Sequence, residues 1–346
     1  MVEAAPGRDG DPKAGLNGPL VSIGMPVRNA ERHLREAIAS LLAQDYTNFE
    51  VVISDNGSSD GTESICRELA GRDQRVSYHR SDQDRGAVWN FNQVFALAHG
   101  TYFMWAAHDD LRAPTYLSAC VAELEAHPDA GLCCTDVEFI DEDGKPVPMW
   151  TAMIRPVGPT PRVRAGAIAR SRYWLDVYAL MRSPVLAQTT LAQPVWGFDV
   201  SIQLQMCLRA SVRMVHEKLF LYRVDPAKTT QAVADTLGAT ASQGASPVNW
   251  SAMALQLLGD VWRSPLGAVQ RTALAVQLFV QLCVFNGLVG SGIRRDVFAN
   301  MRAARRPGRV LALAAMAIAV LPVQNRLVRS VVRRARPRGA TPQLQA

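Results

Sequence analysis

Short apolar runs and one-sided helical stripes take turns along the first two-thirds of the chain. The run LVSIGMP (Leu20–Pro26) is followed, past Asn29, by apolar positions at Leu34, Ile38, Leu41 and Leu42. That spacing is the stripe of a helix lying on a sheet. FEVVIS (Phe49–Ser54) reads as a second strand that ends at Asp55 and the turn NGSSDGT. A helix follows Asp60, with Thr62 as its cap and Ile65 and Leu69 facing inward. Arg75–His79 reads as a third strand, Ala87–Ala98 as a helix closed by Gly100, and YFMWAA (Tyr102–Ala107) as a further strand ending at His108-Asp109-Asp110. Strands alternating with helices in this way predict an α/β fold with a doubly wound, mostly parallel sheet flanked by helices. Acidic residues stand just past successive strand ends, where open parallel sheets bind their ligands.

Further along, Thr115–Ala126 reads as a helix, AGLCC as a strand and Asp143-Gly144 as a hairpin turn. Residues 145–165 are Pro-rich and read as a loop over the cleft. Helical patches are predicted at Ala167–Met181 and Gly197–Arg209, then a strand at Val212–Tyr222. Residues 236–249 have the composition of a linker, which bounds a first domain at 20–235. Beyond it, residues 250–346 turn helical, basic and apolar. The runs Pro265–Gly290 and Val310–Val323 are the strongest; the first is interrupted by polar residues, and the second, at fourteen residues, is short of the roughly 20 that span a bilayer.

Composition changes the picture in three places. Residues 1–19 carry no apolar run and read as a disordered tail, not a signal peptide. The six cysteines form no C-x-x-C pair and read as reduced core residues of a cytoplasmic protein. The net charge of +6 hides an asymmetry: Arg294–Arg338 holds twelve arginines and one acid, Asp296, or +11, which leaves about −5 for the rest. Such a block calls for a partner. Nucleic acid is not expected, because no aromatics interleave with the arginines and no recognised motif is present. An anionic membrane surface is expected, with the arginines flanking Val310–Val323 as an apolar anchor. The protein would then be peripheral on the inner face of the cell membrane.

From Leu20 to Tyr222 the chain resembles glycosyltransferase family 2, the inverting, nucleotide-sugar-dependent enzymes with a GT-A fold. VSIGMPVRN resembles the family's opening strand and EVVISDNGSSDGT its second-strand motif. Gly86, Asn92, Ala98, Gly100 and Tyr102 match its middle section, and VWGFDVSIQLQMCLRA followed by LFLYR matches its late acidic motif and closing strand. The resemblance implies transfer of a sugar from a nucleotide-diphosphate donor to a hydroxyl acceptor, a glycan or lipid-linked molecule of the cell envelope. Breaking the bond to the diphosphate needs its charge stabilised, for which a Mg²⁺ or Mn²⁺ ion is implied. The attacking hydroxyl needs a base.

Carried over residue by residue, the resemblance assigns Asp55 to the nucleotide base or ribose, with Pro26, Asn29, Gly57, Ser58, Asn92 and His108 on the donor side. Asp109 becomes the metal and diphosphate ligand, and Asp199 the general base. Asp110, Trp196, Tyr222 and Arg223 are expected as contacts of acceptor or phosphate. Two positions depart from the family pattern. Ala107 stands where the first Asp of the D-x-D motif belongs, and Phe198 precedes Asp199 where a Glu is usual. A non-catalytic nucleotide-sugar binder at the membrane is therefore the alternative. A nucleotidyltransferase on the same scaffold would need a Gly-rich basic triphosphate loop, which the sequence does not present.

Overall fold

The computed structural model describes residues 18–148, 153–224, 248–304 and 306–319. Strands and helices alternate at first as the patterning predicts: β1 (Val21–Val27), α1 (Leu34–Leu42), β2 (Phe49–Asn56), α2 (Thr62–Arg72), β3 (Val76–Ser81), α3 (Ala87–Ala96) and β4 (Tyr102–Trp105). The order then becomes less regular, with β5 (Leu111–Arg112), α4 (Tyr116–Ala126), β6 (Ala130–Ile140), α5 (Pro161–Arg170), β7 (Leu180–Arg182), α6 (Ser183–Leu186), α7 (Phe198–Arg209) and β8 (Ser211–Arg223). Helices α8 (Trp250–Arg263), α9 (Ala268–Val280), α10 (Gly287–Ala303) and α11 (Pro307–Ala319) follow.

One eight-stranded sheet runs in the order β3-β2-β1-β4-β7-β6-β8-β5. β1 pairs in parallel with β2 and β4, β2 with β3, and β6 with β8. β7 and β5 join antiparallel, so the sheet is mixed. Val21, Ile23 and Met25 on one face of β1 and Ser22 on the other are fully buried, as a central strand covered on both faces requires. The strand order reverses between β1 and β4. β4 ends opposite Gly24 while β1 runs on to Val27 beside Asp55, which leaves a crevice at the carboxyl ends.

Three local readings are corrected. The helix expected at Ala167–Met181 is α5, and the residues after it form a 3₁₀ turn (Leu175–Tyr178) and the short strand β7. Thr160 caps α5 ahead of Pro161, a start hidden inside the Pro-rich stretch, and Ser171 ends it. Thr62 does not cap α2; its hydroxyl accepts the Ala30 N–H at 2.7 Å, and Asp60 accepts the Thr62 N–H instead. The two-residue strand β5 has too few positions to leave a period.

The C-terminal helices are built into the same core. Trp250, Met253, Leu257 and Val261 of α8 are buried in one cluster with Phe198, Val200, Ile202 and Leu204 of α7. Ser201 of α7 donates to the buried Asp260 carboxylate of α8 at 2.6 Å. The stretch expected as a linker is thus flanked by parts of one core, though residues 236–247 lie outside the described residues, as do residues 1–17 of the expected tail and 320–346. All six cysteines are buried and none is in a disulfide. Among the described residues no single helix is long and apolar enough to cross a membrane.

Candidate active site

Where β1 ends, Asn29 turns the chain with φ +49°, and α1 begins. The Asn29 N–H donates to Ser58 Oγ and the Ser59 N–H donates to Asn29 Oδ1, both at 2.9 Å. These bonds join the β1 exit to the β2 exit. Asp55 is fully buried at the latter and accepts from the Ser58 N–H (2.9 Å), the Tyr78 hydroxyl (2.8 Å) and Arg80 Nη1 (2.6 Å). Its carboxylate thus braces the turn. Gly57 has φ +72°, and a Cβ there would lie 2.9 Å from the Gln83 carbonyl carbon, so turn and neighbouring backbone both demand glycine. Asn90, which the sequence reading passed over, donates from its buried amide to Val27 O and Ser54 O. Pro26 lies beside Ser54 on the same rim.

Asn92 is not at that rim. Its amide exchanges two hydrogen bonds of 3.0 Å with the backbone of Ala192, which pins the loop leading into α7. The assignment to donor binding is corrected accordingly: both its amide N–H and its carbonyl are engaged with a residue a hundred positions away.

His108 follows β4 and lines a cleft of about 170 Å³ together with Asn29, Arg32, His33, Asp109, Glu142 and Arg223. Asp109 and Asp110 are both buried. Asp110 accepts the Arg223 N–H at 2.9 Å. The Arg223 guanidinium, itself buried, donates to the carbonyls of Asp109, Asp141 and Glu142 and to the Glu36 carboxylate. Arg223 thus braces the acidic loop from within the cleft, through three carbonyls of two backbone segments and one acid. His33 was missed by sequence reasoning. It is a lone histidine in the first turn after Asn29, recognisable only once that turn is known to face the cleft. Burial, with the charges of Arg223 and Arg32, holds its imidazole below the usual value.

Asp199 occupies the first turn of α7, entered through Gly197 at φ +77°. Burial pushes its carboxyl up to about 6, against backbone N–H groups that favour the ionised form. Gln203 donates to Asp199 O and to Trp174 O, tying this turn to the 3₁₀ turn that carries Tyr178. The Tyr178 and Tyr222 phenols are both raised by burial and then by the charges of Asp110, Asp109 and Asp199. The charges of two carboxylates from the segment after β4 and one from α7 thus act on one pair of tyrosines. Tyr222 stands edge-on to Phe139 at 5.6 Å. Trp196 stands edge-on to Trp250 at 6.0 Å, a packing contact with α8.

No group of three or more metal-binding side chains occurs among the described residues. The donor set still fits a hard divalent cation, since Mg²⁺ is ordinarily held by one or two carboxylates with substrate phosphates and water. Asp109 supplies such a carboxylate.

Residues 22–180 match the family described as glycosyl transferase family 2. EpsE of Bacillus subtilis (strain 168), which carries the provisional name of a glycosyltransferase, is 33% identical over 150 residues, 43% of this chain and 52% of EpsE. The chain thus spans about half the length of that relative. Among solved structures, S. aureus TarS 1–349 in complex with UDP superposes with a TM-score of 0.62 at 16% identity, over 91% of this chain and 92% of TarS 1–349. The mannosyltransferase PcManGT from Pyrobaculum calidifontis, in complex with GDP-Man and Mn²⁺, gives 0.53 at 16% identity, over 92% and 88%. At these identities the likeness carries the fold, a GT-A-like mixed sheet flanked by helices and followed by C-terminal helices.

Proposed function

The chain carries a glycosyl transferase family 2 domain, and from that premise we propose that it moves a sugar from a nucleotide-diphosphate donor to a hydroxyl acceptor with inversion. The cleft that brings Asn29 at the β1 exit together with His108 and Asp109 after β4 carries this reading. The nucleotide lies along the β1 and β2 exits, over Pro26, Asn29, Gly57 and Ser58, with Asp55 bracing the turn beneath it. Asp109 is the residue that would hold a divalent ion together with the diphosphate. That ion, when bound, stabilises the charge developing on the leaving group. His108 and His33 border the same cleft. Asp199 takes the proton of the attacking hydroxyl. A carboxyl near 6 is ionised at neutral pH, yet more basic than an ordinary carboxylate, as a general base requires. The UDP complex of TarS and the GDP-Man complex of PcManGT support a nucleotide-sugar donor here. The acceptor is a lipid-linked or cell-envelope glycan, met at the cytoplasmic face of an anionic membrane.

A donor panel tests the binding half of this reading. At a hundred times its Kd a ligand stabilises the folded state by about 2.7 kcal/mol. One class among UDP-, GDP- and dTDP-sugars should therefore raise Tm by roughly 4 °C, and more with Mn²⁺ than without. No shift with any donor would count against a donor site. Ala107 in place of the first motif carboxylate favours the second reading, a non-catalytic binder. Donor binding without transfer to any acceptor pool would select it.

A further inference from the structure

The anchor expected at Val310–Val323 is used in part inside the protein, although Leu311 is 72% exposed. Leu313 and Met316 of α11 are fully buried and Ala317 nearly so, while residues 320–323 lie outside the described ones. Large apolar side chains reach solvent elsewhere. Val269 is 84% exposed and Val276 60% exposed on α9, with exposed Ala273 between them at helical spacing. The opposite side of α9 buries Leu274 and Leu278 in the core, so the helix is apolar on two sides and only one has a protein partner. Trp262, half exposed at the end of α8, is joined to α9 through Arg271, which donates to Trp262 O and Leu266 O.

The charged groups that border this face are basic: Arg263, half exposed beside Trp262, Arg271 of α9 itself, and exposed Arg162 of α5, which donates to Gln277. Residues 248–319 contain two acids, Asp260 and Asp296, and both are buried. Asp260 is bonded to Ser201 and Arg263, and Asp296 accepts the N–H groups of Trp250 and Ser251 at the start of α8. Arg294, Arg295, Arg302, Arg306 and Arg309 are all exposed. The described C-terminal helices therefore offer solvent arginines and apolar side chains and no exposed carboxylate.

We infer that the solvent face of α9, with Trp262, is an in-plane docking surface for an anionic phospholipid bilayer. The valines and tryptophan enter the headgroup boundary and the arginines hold the lipid phosphates. The in-plane placement follows from the burial of the other side of α9, which is unavailable to lipid. This deepens the membrane reading above and adds α9 to the apolar contact expected of α11; it does not depend on the transfer chemistry.

Flotation of the full chain with vesicles tests it, needing neither donor nor acceptor. The vesicles are phosphatidylcholine alone, or phosphatidylcholine with one-third phosphatidylglycerol. Wild type should float with the anionic vesicles only, and less at high salt. Val269→Asp combined with Val276→Asp should lower the bound fraction roughly tenfold with an unchanged melting curve, because both side chains are exposed. Val157→Asp, at an exposed apolar position before α5, should float as wild type does. Failure of the wild type to float would overturn both the membrane reading and this face. Flotation of the double variant at wild-type level would overturn the face alone. Self-association of the wild type without vesicles, lost in the double variant, would assign the face to a second copy and overturn the lipid assignment.

Discussion

A carboxylate in the first turn of a helix is ordinarily held ionised by the peptide dipole, but at Asp199 burial outweighs it. The folded value of about 6 lies above the ordinary aspartate value of 3.8, so the folded state binds the proton more tightly. Stability falls as pH rises through that window, and above pH 6 the cost is constant at up to about 3 kcal/mol. Asp199→Asn removes the ionisation. We expect turnover to fall roughly 10²–10⁴-fold with donor binding retained, while urea denaturation finds the variant more stable than wild type at pH 7.5 and close to it near pH 4. In wild type, turnover should decline below pH 6. Wild-type turnover in the variant would remove Asp199 from the base role, whatever its stability. The sequence made Asp109, Asp110 and Asp199 legible because each follows a strand end or opens a helix. It could not show that Arg223 and Asn92 spend their hydrogen bonds on the protein, since those partners lie about a hundred residues away in the chain.

Among the elements, α7 is held on one side by the sheet domain and on the other by α8. Gly197 marks the closest approach: a Cβ there would come within 2.4 Å of Met253 Sδ, at a φ of +77°. Gly197→Ala should therefore cost about 1–3 kcal/mol. Adding Met253→Ala separates the terms. Relief of the contact should return part of the loss in a double-mutant cycle, offset by the cavity it leaves, and the backbone term should persist. The alternating strands and helices up to β4 were legible because their periods are long and their ends punctuated. β5, β7 and the start of α5 were not. Two or three residues cannot display a period, and Pro161 reads as a loop signal although it occupies the first helical turn.

At the scale of the whole molecule, the C-terminal helices finish the core. A chain ended at residue 247 would lose Trp250, Met253, Leu257 and Val261 from the cluster that packs α7. It should be recovered in inclusion bodies or melt without a cooperative transition, as scanning calorimetry of any soluble fraction would show; a sharp transition near that of the full chain would contradict the shared core. Composition disclosed the basic C-terminal region but not this packing, because α8 and α9 present apolar residues both inward and outward. The bonds that close the site also set an order of events during synthesis. Tyr102 of β4 waits 80 residues for Arg182 of β7, and Asp110 waits 113 residues for Arg223. At translation rates of 5–20 residues per second, the acidic loop spends about 6–23 s on the nascent chain before Arg223 is made. Through much of that interval β4 is an open sheet edge, which makes the half-made polypeptide a substrate for holdase chaperones.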